Sequence, residues 1–154
     1  MLGPEDLKLS AIDCKNGEEV DFLYQFIFDH HSTPKNLLPT KEELNSPSLF
    51  FFRAVLDEKL IGMSSYYKVT PFLAETQKTI VLPEFRGKGF GKKISSLMED
   101  LIKNRGFKKI RSAIYIQNLK MLKIKLDQSY IIEGLLRDHD APGLHEYSLG
   151  KILG

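Results

Sequence analysis

Residues 72–103 constrain the chain most tightly. A run that reads as a strand (72–82) ends at Pro83, passes through three alternate glycines, Gly87, Gly89 and Gly91, and enters a segment where Ile94, Leu97, Met98, Leu101 and Ile102 recur at helical spacing. Asn104-Arg105-Gly106 stops that helix, because Gly106 suits a left-handed cap. Strand, glycine loop and amphipathic helix in succession make this a mixed α/β chain.

The flanking segments extend the pattern. Residues 7–13 alternate as a first strand, and Asn16-Gly17 reads as a turn. Val20, Leu23, Tyr24, Ile27 and Phe28, widened by Phe22 and Phe26, predict a helix over 18–30 with one apolar face. His30 to Pro34 breaks it. Thr40 followed by Glu43 has the form of a capping box opening a second, short helix. Strands are expected at 48–56 and 59–69 around an Asp57-Glu58 turn, at 108–116, and at 130–137 and 144–152 around Asp140-Ala141-Pro142-Gly143. Asn118 to Leu126 reads as a short helix. The order β-α-α-β-β-β-α-β-α-β-β, without repeat or linker, predicts one domain over residues 1–154 with about seven strands and four helices.

Composition narrows the function classes. With 42% hydrophobic and 27% charged residues in 154, the chain matches a soluble globular protein rather than a disordered one. No apolar run approaches the roughly 20 residues of a membrane span, and Glu5 and Asp6 stand where a signal peptide carries basic residues, so a cytoplasmic protein is expected. A single cysteine, Cys14, excludes an intrachain disulfide and a cysteine-cluster metal site. A net charge of +2 argues against nucleic acid, and no aromatic platform accompanies the basic residues between Arg86 and Arg111. That basic segment suits a smaller polyanion.

The glycine loop supplies the binding surface for one. Glycines let backbone N–H groups approach a ligand, and the following helix N-terminus adds unpaired donors with partial positive charge, so a diphosphate fits there. A Walker A loop needs a glycine where Arg86 stands and Ser or Thr where Lys93 stands. The Gly87-x-Gly89-x-Gly91 spacing also differs from the dinucleotide fingerprint, whose last two glycines lie three apart. The pattern present is R-x-x-G-x-G, filled by Arg86, Gly89 and Gly91 and preceded by Val81-x-Pro83-Glu84-Phe85. It resembles the GNAT (GCN5-related N-acetyltransferase) family.

That resemblance implies a mixed, mostly antiparallel twisted sheet and a site for acetyl-CoA. The loop residues Arg86, Gly87, Lys88, Gly89, Phe90, Gly91 and Lys92 would take the coenzyme A pyrophosphate. The backbone of Thr79, Ile80 and Val81, where the fourth and fifth strands part, would hold the pantetheine arm and the acetyl carbonyl. Asn118 matches a family asparagine that contacts the cofactor arm, a role compatible with a helix N-cap.

Acetyl transfer to an amine needs a proton acceptor for the amine and a proton for the departing thiolate. Glu75, eleven residues before Arg86, stands at the spacing of a general-base glutamate in the family and is equally readable as a solvent-facing strand carboxylate. The family's acid tyrosine, seven residues after the asparagine, is replaced by Lys125, leaving Tyr130, another tyrosine (Tyr66, Tyr67 or Tyr147) or solvent as proton source. Tyr130 also reads as a packing residue. His30 and His31 fall in the loop expected to border the acceptor, and His139 and His145 lack the partners of a metal site, so no metal is expected. The resemblance therefore implies an N-acetyltransferase that moves the acetyl group of acetyl-CoA to a primary amine of a small molecule or peptide by direct attack in a ternary complex. The alternative is a non-catalytic acyl-CoA-binding sensor or scaffold. Homodimer formation, common in the family, is compatible with either.

Overall fold

The computed structural model describes residues 3–31 and 33–154; Ser32, within the expected break after the first helix, lies outside them. In chain order the elements are β1 (Lys8–Ala11), α1 (Gly17–His30), α2 (Lys41–Leu44), β2 (Leu49–Leu56), β3 (Lys59–Lys68), β4 (Leu73–Val81), α3 (Phe90–Asn104), β5 (Lys109–Tyr115), α4 (Leu119–Asp127), β6 (Ile131–Leu136) and β7 (Glu146–Ile152). The strands form one seven-stranded sheet in the order β1-β2-β3-β4-β5-β7-β6. Only β4 and β5 run parallel; every other neighbouring pair is antiparallel.

Local chemistry accounts for most boundaries. Asn16 is an N-cap rather than part of a turn: its side chain accepts from the N–H groups of Glu18 (3.0 Å) and Glu19 (3.3 Å), and those two acids sit favourably in the first turn of α1. Thr40 and Glu43 form the expected reciprocal box. Asp57 and Glu58 both adopt positive φ (49° and 63°), which lets a two-residue turn match the twist of β2 and β3.

The central strands of the sheet are buried on both faces. On β2, Phe51 and Phe52 point to opposite sides, and each is buried in a different cluster. Ile94, Met98 and Ile102 of α3 pack with Phe52, Ala54, Ile110 and Leu149 on one face. On the other, Leu23, Phe26 and Ile27 of α1 and Leu44 of α2 cover Phe51, Met63 and Ile80. The buried stripe of α1 therefore centres on Phe26, while Phe28, expected within it, is 38% exposed. Because Ile94 is wholly buried, Ile94→Ala would cost about 2–5 kcal/mol.

Two irregularities open the middle of the sheet. Between the pairs Ser65↔Gln77 and Met63↔Ile80, Lys78 and Thr79 oppose the single residue Ser64, a bulge in which Lys78 takes a φ of 43°. Gly62 permits the close approach that follows, since a Cβ there would run into the Ile80 carbonyl. Just before the bulge β4 stops following β5. Their pairing ends at Thr76↔Ser112, where the two hydroxyls hydrogen-bond, and the strands diverge from that fork.

Candidate active site

The fork and the glycine loop border one cleft of about 830 Å³. Its floor is the diverging segment of β4, from Glu75 to Val81, and the end of β5, from Ser112 to Tyr115. The loop and first turn of α3 close one end, α4 forms a side wall, and residues from the end of α1 and from the 137–145 connection reach the other.

At the loop end the cleft is bordered largely by backbone. A short 3-10 turn (Pro83–Phe85) brings the chain out of β4, and Arg86 anchors it by donating from Nε to the Val81 carbonyl at 2.9 Å. Gly87 and Gly89 have φ of 75° and 85°, and Gly89 is the N-cap of α3. The helical ladder begins with Lys93 N–H donating to the Gly89 carbonyl, and among the described residues no acceptor takes the N–H groups of residues 87–92. Leu82 N–H bonds to Ile61 on the β3 side, so strand alternation turns the N–H of Val81 toward the cleft. This row of donors at a helix N-terminus, with Lys92 beside it, matches a diphosphate with an extended arm.

Of the residues expected to bind the cofactor, Thr79, Ile80, Val81, Arg86, Gly87, Gly89, Phe90, Gly91, Lys92 and Asn118 all line the cleft. Lys88 does not; its Nζ lies 6.0 Å from the Phe85 ring centroid. Asn118 caps α4 by accepting from Met121 N–H at 3.2 Å, and Thr79 shares a 2.9 Å hydrogen bond with Ser64. The basic stretch from 86 to 111 divides its loyalties. Lys109 pairs with Glu133, and Arg105 donates to the Tyr66 hydroxyl and stacks over Phe50 and Phe52.

The two expected catalytic side chains part company. Glu75 lines the cleft, but its Oε2 accepts from Arg111, with Nε and Nη2 each 2.6 Å away. Tyr130 does not reach the cleft: its ring is 3% exposed within the core, and burial, with the Glu99 carboxylate nearby, pushes its phenol well above the usual range. No described group makes a well-formed hydrogen bond to its hydroxyl. The ring lies under the ammonium groups of Lys125 (4.7 Å) and Lys151 (5.8 Å), so a lysine at position 125 has turned this tyrosine into a cation platform. Lys125 borders the cleft but donates from Nζ to Ser95 Oγ at 2.8 Å, and burial pulls its pKa down to about 8.

The far end gathers groups that local patterning does not single out. Glu146 opens β7 opposite Tyr115 of β5. The Tyr115 hydroxyl donates to Asp140 Oδ2 at 2.7 Å; burial first, then that bond, pushes its pKa up to about 12. Lys78, carried inward by the bulge, is held below the usual lysine range by burial. His31 Nδ1 accepts from Thr33 N–H at 3.1 Å, and burial, aided by the positive charge of Lys78, pushes its pKa down to about 4, leaving a neutral imidazole with Nε2–H as donor. Burial also raises Glu146, with the charge of Asp140 next in effect. His30, His139 and Asp140 line the same end, whereas His145 accepts from Asp138 N–H outside it. The only sequence cue to Glu146 is its place at the final turn.

Comparison with known proteins agrees with this architecture. A family model described as the acetyltransferase (GNAT) family matches residues 17–124. Among solved structures, a spermidine/spermine N-acetyltransferase from Vibrio cholerae superposes with a TM-score of 0.76 at 17% identity, covering 97% of this chain and 94% of that one. The ribosomal-protein-S18-alanine N-acetyltransferase from Escherichia coli gives 0.77 at 12% identity, with 96% and 94% covered. An aminoglycoside 6'-N-acetyltransferase complexed with coenzyme A gives 0.73 at 15%, with 96% and 97% covered. At these identities the likeness is one of fold. No curated protein matches the chain by sequence.

Proposed function

The chain belongs to the acetyltransferase (GNAT) family, and from that premise we propose that it transfers the acetyl group of acetyl-CoA to a primary amine in a ternary complex. The observation that carries this reading is the row of N–H groups over residues 87–92, without an acceptor among the described residues, opening onto a cleft that runs to the fork between β4 and β5. The pyrophosphate lies on that row, where preorganised dipoles bind it without reorganisation. Lys92 adds charge from the cleft side, and Arg86 shapes the loop through Val81. The pantetheine arm extends along the unpaired edge of β4, where Val81 N–H supplies a donor, and the thioester reaches the fork near Thr76 and Ser112.

Chemistry at the fork requires a neutral amine nitrogen to attack the thioester carbon. The carbonyl oxygen gains negative charge in that step, and backbone N–H groups on the splayed edge of β4 face the position where it develops. Collapse breaks the C–S bond and the thiolate leaves with the electron pair. Tyr130 is too deeply buried to protonate it; the acceptor nitrogen's own proton or solvent serves instead. Glu75 stands in the cleft as one candidate proton acceptor, with one oxygen engaged by Arg111.

The neighbouring folds are named for acceptors as different as spermidine, an aminoglycoside and a protein alanine, so the acceptor here is sought among all three kinds. Thiol release from acetyl-CoA, followed with spermidine, kanamycin and an alanine-initiated peptide, tests the proposal. Release that depends on one of the amines is expected. Coenzyme A binding in calorimetry without turnover on any amine would favour the sensor reading instead.

A further inference from the structure

The acceptor end of the cleft contains a buried carboxylate whose partner is missing. Glu146 is only 6% exposed, and among the described residues its Oε2 makes no hydrogen bond. Donor atoms of Glu146, Asp140 and His139 lie within 4.8 Å of one another, and all three residues border the cleft. The charged and polar groups around them come from several elements: Glu75 and Lys78 from β4, Tyr115 from β5, and His31 just after α1, while β6 sets Leu136 opposite Glu146.

These neighbours are mostly committed. Glu75 has Arg111, and Asp140 accepts the Tyr115 hydroxyl and feels the charge of Lys78. Among these described groups, Glu146 is the one that keeps a buried oxygen without a hydrogen-bond donor. An unpaired buried anion is costly, and such a group is retained where a ligand completes it. We propose that Glu146, flanked by Asp140, receives the ammonium group of the acceptor and takes its proton, so that the acceptor is an amine arriving as a cation. This rests on the acetyl-transfer reading above.

The proton count closes. The ammonium gives one proton to the Glu146 carboxylate, and the freed nitrogen lone pair forms the N–C bond at the thioester carbonyl. As the C–S bond breaks, the sulfur takes its electron pair and the second nitrogen proton. Glu146 then returns its proton to solvent. A carboxylate raised by burial is better matched to this task than an ordinary one, because it holds the proton more firmly while the amine attacks. A divalent metal suits the triad less well, since the Tyr115 O–H already points at Asp140 and Lys78 lies near it.

The experiment is an NMR titration of the full chain with n-butylammonium, with and without coenzyme A, in wild type, Glu146→Gln and Glu146→Asp. Affinity at least about tenfold weaker in Glu146→Gln, partly restored in Glu146→Asp, with coenzyme A affinity unchanged in calorimetry, is expected. Equal butylammonium affinity in wild type and Glu146→Gln overturns the proposal. So does Mn²⁺ or Zn²⁺ binding at His139, Asp140 and Glu146 that butylammonium cannot displace. If coenzyme A fails to bind wild type, the acetyl-CoA reading falls, while the titration without coenzyme A still decides the role of Glu146.

Discussion

The two ends of the cleft are built on opposite principles. The proposed cofactor end is made of consecutive backbone: the N–H groups of residues 87–92, exposed because two glycines take positive φ and a helix starts without an internal acceptor. The proposed acceptor end is made of side chains from β4, β5, the end of α1, the turn before β7 and the start of β7, brought together by the fork. A backbone site can be broken by conformation at one residue and tolerates changes in side-chain chemistry. A side-chain site does the reverse, keeping its shape while single charges decide its ligand.

Substitution at the glycines tests that contrast most severely. Gly89→Val places a β-branched residue at a φ of 85°, and among the described residues a Cβ there would meet only Pro4, at 3.8 Å. The fold should therefore survive while the loop cannot keep its curvature. Coenzyme A affinity is expected to fall by more than about 100-fold, comparable to losing several charge-assisted hydrogen bonds. Calorimetry beside circular dichroism reads both halves, and near wild-type affinity would mean that the backbone row does not hold the pyrophosphate.

At the opposite end the decisive change is in charge alone. Glu146→Gln should lower kcat/KM for the accepted amine by about 100-fold, the range of a lost general base, and remove the acidic limb of the pH profile. Glu75→Gln should cost less than about tenfold, because Arg111 already occupies one of its oxygens. Steady-state kinetics on both variants ranks the two carboxylates; a larger loss at Glu75 would return the proton to β4.

Smaller effects come from one buried ionisable group near each end. Near the cofactor end, Lys125 has a folded pKa of about 8 against an unfolded value near 10.5. The unfolded chain therefore binds more protons between those values, and the ammonium costs stability below pH 8, a cost relieved as pH rises to about 10.5. Lys125→Met should raise stability by about 2 kcal/mol at pH 7, with the gain vanishing near pH 10.5. Denaturant melts at the two pH values test this. At the acceptor end His31, with a folded pKa of about 4 against 6.5, works in the other direction from neutrality: the native state must stay neutral, so stability should drop by roughly 1 kcal/mol or more as pH falls from 6.5 toward 4. In His31→Asn, whose side-chain oxygen can still accept Thr33 N–H, that slope should flatten.

The stability side of the contrast also explains why the sequence betrayed one end and hid the other. The loop announces itself because its proposed role needs glycines at fixed intervals before an amphipathic helix, and those residues are neighbours in the chain. The capping box at Thr40, the Asp57-Glu58 turn and the stripe of α3 were legible for the same local reason. Asn16-Gly17, readable as a turn, became a helix cap, because the side chain of Asn16 finds the N–H groups of Glu18 and Glu19. The face of α1 rotated toward Phe26 because the sheet surface, rather than helical periodicity, chose which aromatics to bury.

From residue order alone came a mixed α/β fold, its element order and the glycine loop, since propensity, periodicity and glycine spacing act within a few residues. The tertiary structure decided the rest. Burying Tyr130 in the core, tying Glu75 to Arg111 and leaving Glu146 without a partner among the described residues all depend on how the folded sheet packs, which brings together residues as far apart in the chain as Glu75 and Arg111. Desolvation and pairing, which set the charge of such groups, are properties of those contacts and have no counterpart in the order of residues.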